Sequence, residues 1–439
     1  MPKEELVIQE TYAIAVTSSD LSKPVDDDPA VPLTPIQFRL VYTSLLLGVF
    51  MFSLDNAIIS PALSSILGDL GNEKLLPWLG AFFLTSAPFT IVNGKLAIIF
   101  SKKYIFLAAL TLFNIGSLIC AVAGSMEVLI LGRAIAGIGG GSMMPLSYII
   151  IGDITNTKER TKFMSFLGVA VGLGNLLGPL LGGVFTNSLN WRWCFYINLP
   201  VGFLAFLVLL VSFNIPKPEG SILQKLKNVD FLGAIVLLFT MFAFNIPLLI
   251  GGITWAWNSF QVIVLFVLSF LGVLAFVYIE SRAASDPIVP LSLFKSPFTA
   301  ASIGISFFLG AFANSFIFYY GLLLEFILGY SSIEVGGIYA GTCFSYVIVT
   351  ILSGAILSRK NHYISFFIIG PLFFIGTVAM VSQFTKNTLL WQTIFATLLF
   401  GIGMGAIFQL RISILPIGAP KELIPIATAV CVSAFAVGM

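Results

Sequence analysis

The sequence predicts an all-α integral membrane protein built from two helical bundles. Of its 439 residues, 58% are hydrophobic and only 10% are charged, and the mean hydropathy is +1.02. A water-soluble protein of this length would carry about 25% charged residues. The apolar residues occur in stretches of about 20, which is the length that an α-helix needs to cross a bilayer. Positive charge is concentrated in every second loop between these stretches.

The apolar stretches divide the chain into a tail and three groups of helices. Residues 1–37 are polar, acidic and proline-containing, which predicts a disordered cytoplasmic tail. Apolar spans follow at 38–62, 77–99, 104–124, 127–151, 163–187, 193–214, 230–252, 258–280, 298–322, 333–357, 363–382 and 388–410. A thirteenth span opens near residue 423. We expect an N-terminal six-helix bundle over 38–215, a linker with two extra transmembrane helices over 216–285, and a partial C-terminal bundle over 286–439.

The distribution of lysine and arginine predicts the orientation of the chain. If the tail is cytoplasmic, the cytoplasmic loops hold 14 of these residues and the opposite loops hold 3. Lys102, Lys103 and Arg411 belong to the cytoplasmic set. Such a bias is typical of the cytoplasmic side of a membrane protein. Because one missed helix would scramble the alternation, the pattern supports the number of spans as well.

Composition also excludes several classes of function. A net charge of +2 without a basic tract argues against a nucleic-acid partner. The cysteines at 120, 194, 343 and 431 are scattered and predict neither a disulfide framework nor a metal site. His362 is the single histidine, so we expect no enzyme and no cofactor. The absence of a GxxxxGK[ST] loop disfavours an ATP-driven pump. We expect a monomer in a lipid bilayer.

Two charges lie deep inside predicted spans. Arg133 in LILGRAIAGIGGG (129–141) and Asp55 in SLDNAIISPAL lie about 9 and about 10 Å from the same end of their helices. Ionisable residues at such depth face the bundle interior and find a partner, so we expect an Asp55–Arg133 ion pair. The pair has two interpretations, a proton- or substrate-linked role or a static contact that fixes helix packing. The glycines after Arg133 predict close approach of a neighbouring helix.

The fifth span has a smooth face. Gly174, Gly178 and Gly182 recur every fourth residue in GLGNLLGPLLGGVF, which favours close helix contact. Pro179 removes a backbone donor and tends to kink the helix. The pattern suits a helix that moves against its neighbours, and it suits a static GxxxG contact equally.

Polar side chains in the second half are candidates for a substrate cavity, namely Asn314, Tyr319, Tyr320, Tyr346 and Gln409. Aromatic-rich surfaces suit flat or cationic compounds. The acids Asp153, Asp230 and Glu280 fall at predicted cytoplasmic helix ends, where we expect solvated or capping roles.

Four motifs together resemble one family. SLDNAIISPAL, LILGRAIAGIGGG, GLGNLLGPLLGGVF and NWRWCFYINLPVG resemble, in order and spacing, motifs of the major facilitator superfamily and of its 14-spanner drug:proton antiporter branch. The string at 191–200 is similar to that of the fungal members. The resemblance implies the major facilitator fold, a proton-transfer role for Arg133 and a matching first-helix acid at Asp55. It assigns an antiporter motif to Gly174, Gly178, Pro179, Gly182 and Gly183.

Two features depart from the family pattern. In GKLAIIFSKK (94–103), Ile98 and Ser101 replace an acid and a glycine, so the gating salt bridge of this loop cannot form in the usual way. Members of the branch have fourteen spans, whereas this sequence ends inside the thirteenth. We therefore expect a C-terminally truncated chain with an incomplete second bundle.

The resemblance implies a proton-coupled antiporter that moves amphipathic or cationic drugs or toxic compounds out of the cytosol by alternating access. Its membrane would be the plasma membrane or the vacuolar membrane. One alternative is a vacuolar importer of basic amino acids from the same family. Another, of a different class, is a truncated membrane protein that senses or does not transport.

Overall fold

A computed structural model describes residues 31–213, 230–283, 287–357 and 363–438. Within these ranges the regular secondary structure is helical. Eleven of the described helices are long and apolar enough to cross a membrane, and two shorter apolar helices cover Ser365–Val381 and Ile424–Gly438. These findings confirm the all-α membrane fold. Most of the predicted tail, the break at 216–228 and His362 lie outside the described residues.

The described helices follow the predicted order. The first eight are α1 (Pro35–Ile58), α2 (Leu63–Leu70), α3 (Ala81–Ile99), α4 (Lys102–Ala121), α5 (Met126–Ile154), α6 (Thr157–Ser188), α7 (Trp193–Tyr196) and α8 (Asn198–Ser212). Two more are α9 (Phe231–Ile250) and α10 (Phe260–Tyr278). The last seven are α11 (Pro297–Leu322), α12 (Ser332–Leu357), α13 (Tyr363–Val381), α14 (Leu390–Ile407), α15 (Leu410–Ser413), α16 (Leu415–Gly418) and α17 (Ile424–Gly438).

Local sequence signals explain where several helices begin. Thr34 and Gln37 form a capping box before α1, with Pro35 at the first helical position. Asp230 caps α9 by accepting a hydrogen bond from the Gly233 amide, so its predicted capping role is confirmed. Pro61 lies in a 3₁₀ turn between α1 and α2. The first apolar span therefore reaches Leu70, beyond the predicted end at residue 62.

Helix α5 lies at the centre of the N-terminal bundle, between α3 and α4. A Cβ atom at Gly141 would lie 2.6 Å from the Ser86 carbonyl oxygen on α3, and one at Gly139 would lie 2.6 Å from the Phe113 amide nitrogen on α4. Because such distances leave no room for a side chain, glycine alone permits this packing. The predicted close approach is confirmed.

Within the described residues, the two bundles share an apolar core at one end. We call this end the near side, the side on which α1 begins, and the opposite end the far side. On the near side one apolar core includes Leu167 of α6, Tyr346 of α12 and Val430 of α17. On the far side the cores are separate, one around Trp191 of the N-terminal bundle and one around Phe316 of the C-terminal bundle. The bundles are thus joined on the near side and have separate cores on the far side.

Two acids at near-side helix ends differ from their predicted solvated or capping roles. Asp153, at the end of α5, forms an ion pair with Lys102. Glu280 is buried, and its Oε1 accepts hydrogen bonds from the amides of Ile288 (3.1 Å) and Val289 (3.3 Å). The reason is tertiary, because each acid lies beside a donor from another part of the chain. Glu280 thereby fastens the segment that leads into α11.

Candidate functional site

A buried ion pair lies in the middle of the N-terminal bundle. Arg133 Nη1 on α5 donates to Asp55 Oδ2 on α1. Asp55 is 0% exposed and Arg133 is 2% exposed. The predicted contact is therefore present, and the two charges neutralise each other where neither can reach water.

A third side chain completes the coordination of the carboxylate. Asn198 Nδ2, at the first residue of α8, donates to Asp55 Oδ1 over 2.8 Å and lies 3.3 Å from Ser117 Oγ of α4. Both carboxylate oxygens therefore have a donor, one charged and one neutral. Three helices, α1, α5 and α8, meet at this carboxylate, and α4 contacts it indirectly through Asn198.

The surroundings of the pair are apolar and closely packed. The guanidinium carbon of Arg133 lies 4.3 Å from the centroid of the Phe82 ring on α3, a cation–π contact. Arg133 Nε and Asn198 Oδ1 are buried and have no hydrogen-bond partner. A proton on Asp55 and the Arg133 guanidinium compete for the same carboxylate oxygen.

The glycines of the fifth predicted span bring α6 against α1 next to this site. A Cβ atom at Gly174 would lie 2.7 Å from Ser53 Cβ, and one at Gly178 would lie 3.0 Å from the Ile58 amide nitrogen. Gly182 faces the carbonyl oxygen of Ile58 in the same way, whereas nothing lies within 4 Å of a Cβ atom at Gly183. Helix α6 continues through Pro179 without a break.

The five predicted cavity residues occupy four environments. Tyr346 and Gln409 lie together where the bundles meet, because a Cβ atom at Gly168 of α6 would lie 3.2 Å from the Tyr346 hydroxyl and 3.9 Å from Gln409 Oε1. Tyr320 is buried inside the C-terminal bundle and donates to the Thr393 carbonyl. Tyr319 is 68% exposed. Asn314 is half-buried on α11.

Arg411 was predicted to lie in a cytoplasmic loop, and this prediction is wrong. It is 0% exposed, and its guanidinium stacks over Phe408 and Phe435 at 4.7 and 4.5 Å from the ring centroids. The cause is the break of the helix after α14, which turns α15 inward against α17. Without Arg411, the predicted cytoplasmic loops still hold 13 lysine and arginine residues, against 3 in the opposite loops.

The altered loop at 94–103 makes contacts of its own. Lys102 pairs with Asp153, and Lys103 Nζ donates to the Leu210 carbonyl over 2.6 Å. Lys95 is buried and interacts electrostatically with Glu280 at the end of α10. With Ile98 in place of the family's acid, Lys102 of this loop pairs with Asp153 from another helix.

Three neighbours of the ion pair were not predicted from the sequence, namely Asn198, Ser117 and Phe82. Asn198 was already inside the family-like string at 191–200, and a carboxamide in an apolar span is a signal for a buried polar network. Ser117 and Phe82 carried no comparable signal, because serine and phenylalanine are common in membrane helices.

Replacing Asn198 with leucine, a residue of similar volume, removes the donor to Asp55 Oδ1. Because hydrogen bonds to charged groups contribute about 1.5–3 kcal/mol, we expect Asn198→Leu to lower the free energy of unfolding by that amount, measured by denaturant titration of the purified chain. The control is Ser117→Ala, whose longer contact is with Asn198 rather than with the carboxylate, and it should cost much less. Equal losses for the two variants would contradict the proposed coordination of Asp55.

Comparison with known proteins gives consistent matches. The family model described as Major Facilitator Superfamily matches residues 45–439. The efflux pump aflT of Aspergillus parasiticus is 34% identical over 402 residues, which cover 90% of this chain and 78% of that protein. The multidrug transporter protein MdtP of Bacillus subtilis is 32% identical over 397 residues, which cover 89% of this chain and 71% of that protein.

Solved structures show the same fold. The human organic anion transporter MFSD10 superposes with a TM-score of 0.65 at 17% identity, over 92% of this chain and 92% of that chain. The proton:xylose symporter XylE superposes with a TM-score of 0.62 at 18% identity, over 92% and 86% of the respective chains.

Proposed function

This chain belongs to the major facilitator superfamily, and on that premise we propose that it is a proton-coupled antiporter that exports amphipathic organic compounds. It is a multi-pass membrane protein. Proton coupling, the direction of transport and the substrate class are the parts of the proposal that go beyond family membership.

The observation that carries the proposal is the Asp55–Arg133 pair. Asp55 is a single carboxylate, sealed from water, whose Oδ2 is held by Arg133 and Oδ1 by Asn198. Protonation of Asp55 weakens its attraction to Arg133, and a fully formed ion pair displaces the proton. Uptake and release of one proton therefore alternate with loosening and closing of the contact between α1 and α5.

The arrangement of the bundles supports alternating access. We take the near side as cytoplasmic, which follows from the excess of lysine and arginine in near-side loops. The joined near side and the separate far-side cores then describe a conformation closed to the cytosol. Separation of α6 from α12 and of α3 from α17 would open the cytoplasmic side. The membrane would be the plasma membrane or the vacuolar membrane, since transport out of the cytosol has the same topology in both.

The substrates expected from the sequence are amphipathic or cationic, and the buried acids bear on the cationic part of that expectation. Among the described residues these are Asp55 and Glu280. Asp55 is bound to Arg133, and Glu280 is bound to the backbone amides before α11. A cationic substrate, or the side chain of a basic amino acid in the vacuolar alternative, would have to displace these contacts. The proposal is therefore for amphipathic compounds as a class.

Transport into sealed vesicles that contain the whole chain tests the function. A proton gradient should drive accumulation of an amphipathic dye, and collapse of the gradient with an uncoupler should abolish it. Labelled arginine and lysine, tested in parallel, would accumulate instead if the chain is a basic amino acid importer. Correctly inserted protein that accumulates none of these compounds would contradict the proposal and favour a sensing or non-transporting protein.

Alternating access predicts that cross-linking the near side stops transport. A Cβ atom at Gly354 of α12 would lie 2.6 Å from Ser165 Cβ of α6, and disulfides need about 3.5–4.5 Å, so a small shift allows the bond. In a chain whose native cysteines are replaced by alanine, oxidised Ser165→Cys/Gly354→Cys should be inactive and should recover fully on reduction. Each single-cysteine variant is the control. Undiminished transport by the cross-linked protein would rule out separation of α6 from α12.

A further inference from the structure

A second polar cluster lies where the two bundles meet. Tyr148 of α5 donates its hydroxyl hydrogen to Gln409 Oε1, just after α14, over 3.0 Å. Tyr346 of α12 and Arg411 of α15 complete the cluster, and all four side chains are buried. The positive charge of Arg411 acts on both tyrosines. The N-terminal bundle contributes one member and the C-terminal bundle contributes three.

Among the described residues, only neutral groups surround the charged guanidinium of Arg411. Its Nε donates to the Phe408 carbonyl over 3.0 Å and its Nη1 lies 3.3 Å from the Cys431 carbonyl oxygen. Its Nη2 is buried without a hydrogen-bond partner. Arg133, by contrast, is balanced by Asp55. The interface between the bundles therefore holds an excess positive charge.

The hydrogen-bonding groups left over in the cluster are mainly donors. Gln409 Nε2, like Arg411 Nη2, is buried and has no partner. The Tyr346 hydroxyl and Thr350 Oγ1 interact with each other, but neither has a hydrogen bond of normal geometry. Buried donors without acceptors are unfavourable, and an anion would satisfy them while balancing the charge of Arg411.

In the described conformation the cluster is closed by contact between the bundles. A Cβ atom at Gly168 would lie 2.8 Å from Thr350 Cγ2 and 3.2 Å from the Tyr346 hydroxyl. Separation of the bundles on the near side breaks the Tyr148–Gln409 hydrogen bond and exposes Arg411, Gln409 and Tyr346 together. The cluster thus becomes accessible in the conformation that would admit a substrate from the near side.

We propose that Arg411 and Gln409, together with Tyr346, bind the anionic group of an acidic amphipathic substrate, such as an organic carboxylate, when the near side opens. This inference rests on the proposed function, because it assigns a substrate class to the same transporter. Arg411 supplies the charge, Gln409 Nε2 supplies a second donor, and the rings of Phe408 and Phe435 hold the guanidinium in place. Tyr148 bonds to Gln409 through Oε1, which leaves Nε2 for the ligand, and covers the site when the bundles rejoin.

Equilibrium binding to the whole chain in lipid nanodiscs, without a proton gradient, tests the site. The probes are 2-naphthoate, the neutral 2-naphthamide and the cationic 2-naphthylmethylammonium, each corrected for binding to empty nanodiscs. The closed near side lowers all three apparent affinities by the same factor, so the readout is their ratio. We expect naphthoate to bind at least about 10-fold more tightly than naphthamide, the effect of one charge-assisted hydrogen bond.

Two variants and a matched control locate the preference. Arg411→Gln should bring the ratio of naphthoate to naphthamide affinity to about 1, since the charge is gone. Gln409→Glu keeps the acceptor for Tyr148 and adds a carboxylate that balances Arg411, so it should fold at least as well and should also bring the ratio to about 1. Gln392→Glu makes the same exchange at the other end of α14, where Gln392 Oε1 accepts from the Leu389 amide. It should leave the ratio unchanged.

Several outcomes would overturn the proposal. These are equal binding of the three probes, a preference for the ammonium probe in the unaltered chain, or a naphthoate preference that survives both Arg411→Gln and Gln409→Glu. Chloride that displaces naphthoate at equal concentration would make this a site for small inorganic anions and would overturn the organic assignment. Failure of antiport is distinguishable, because a chain with the expected ratio and no gradient-driven transport retains the anion site and loses the proposed coupling.

Discussion

Asp55→Asn is expected to abolish proton-driven transport and to destabilise the protein, whereas Asp55→Asn/Arg133→Gln should recover the stability and stay inactive. The single variant leaves Arg133 buried beside a neutral amide. Breaking a buried ion pair by removing one partner costs about 3–5 kcal/mol, because an uncompensated charge remains. The double variant removes both charges and hence that penalty. Neither variant retains a carboxylate that can take up a proton.

Comparison of the two variants separates the two interpretations of the pair. Unfolding of the purified chains measures stability, and dye accumulation in sealed vesicles measures transport. If the double variant transports as well as the unaltered chain, the pair is a static packing element and the proposed coupling is wrong. Asp69→Asn is the control, because Asp69 pairs with Arg192 while 49% exposed, and exposed pairs contribute about 0–1 kcal/mol.

Gly178→Ala is expected to impair both stability and transport, whereas Gly183→Ala should leave both intact. A Cβ atom at Gly178 would lie 3.0 Å from the Ala57 carbonyl carbon and 3.0 Å from the Ile58 amide nitrogen of α1. Backbone atoms cannot rotate away, so α6 must shift from α1. Such overpacking costs about 1–3 kcal/mol. Gly183 has open space where its Cβ would be, and alanine is the better helix former.

The two glycines are a matched test because both belong to the family-like antiporter motif and lie five residues apart on α6. The same two assays, unfolding and dye accumulation, apply. Equal losses in both variants would show that the motif acts through something other than the contact between α1 and α6. Loss of transport in Gly183→Ala with full stability would place a substrate at its open face.

Some site residues were predictable because their effect depends mainly on the span in which they lie. A charge within an apolar span must find a partner, so Asp55 and Arg133, at similar depths, were expected to pair. Glycines every fourth residue leave a helix face bare wherever that helix packs, so the contact of Gly174 and Gly178 with a neighbouring helix was also expected. In these cases the prediction depends on the residues of a single span and not on which helix packs against it.

Other residues were not predictable from their neighbours in the sequence. Arg411 follows an apolar helix and looks like a loop residue, yet the break in the helix after α14 places its side chain in the interface between the bundles. Glu280 looks like a solvated helix end, yet the amides of Ile288 and Val289 reach it. Asn198 faces Asp55 because α8 returns beside α1 and α4. Each outcome depends on how distant segments pack.

The membrane-spanning helices, their order and the pairing of one buried acid with one buried arginine could all be predicted from the amino-acid sequence. These properties follow from the hydropathy of each span and the free-energy cost of each buried charge. Three features required the packed structure: the bundles join on the near side, Asn198 completes the coordination of Asp55, and Arg411 lies buried without an acid beside it in the described residues. Such contacts bring together helices that are far apart in the chain. The properties of single spans do not specify how those helices are placed relative to one another.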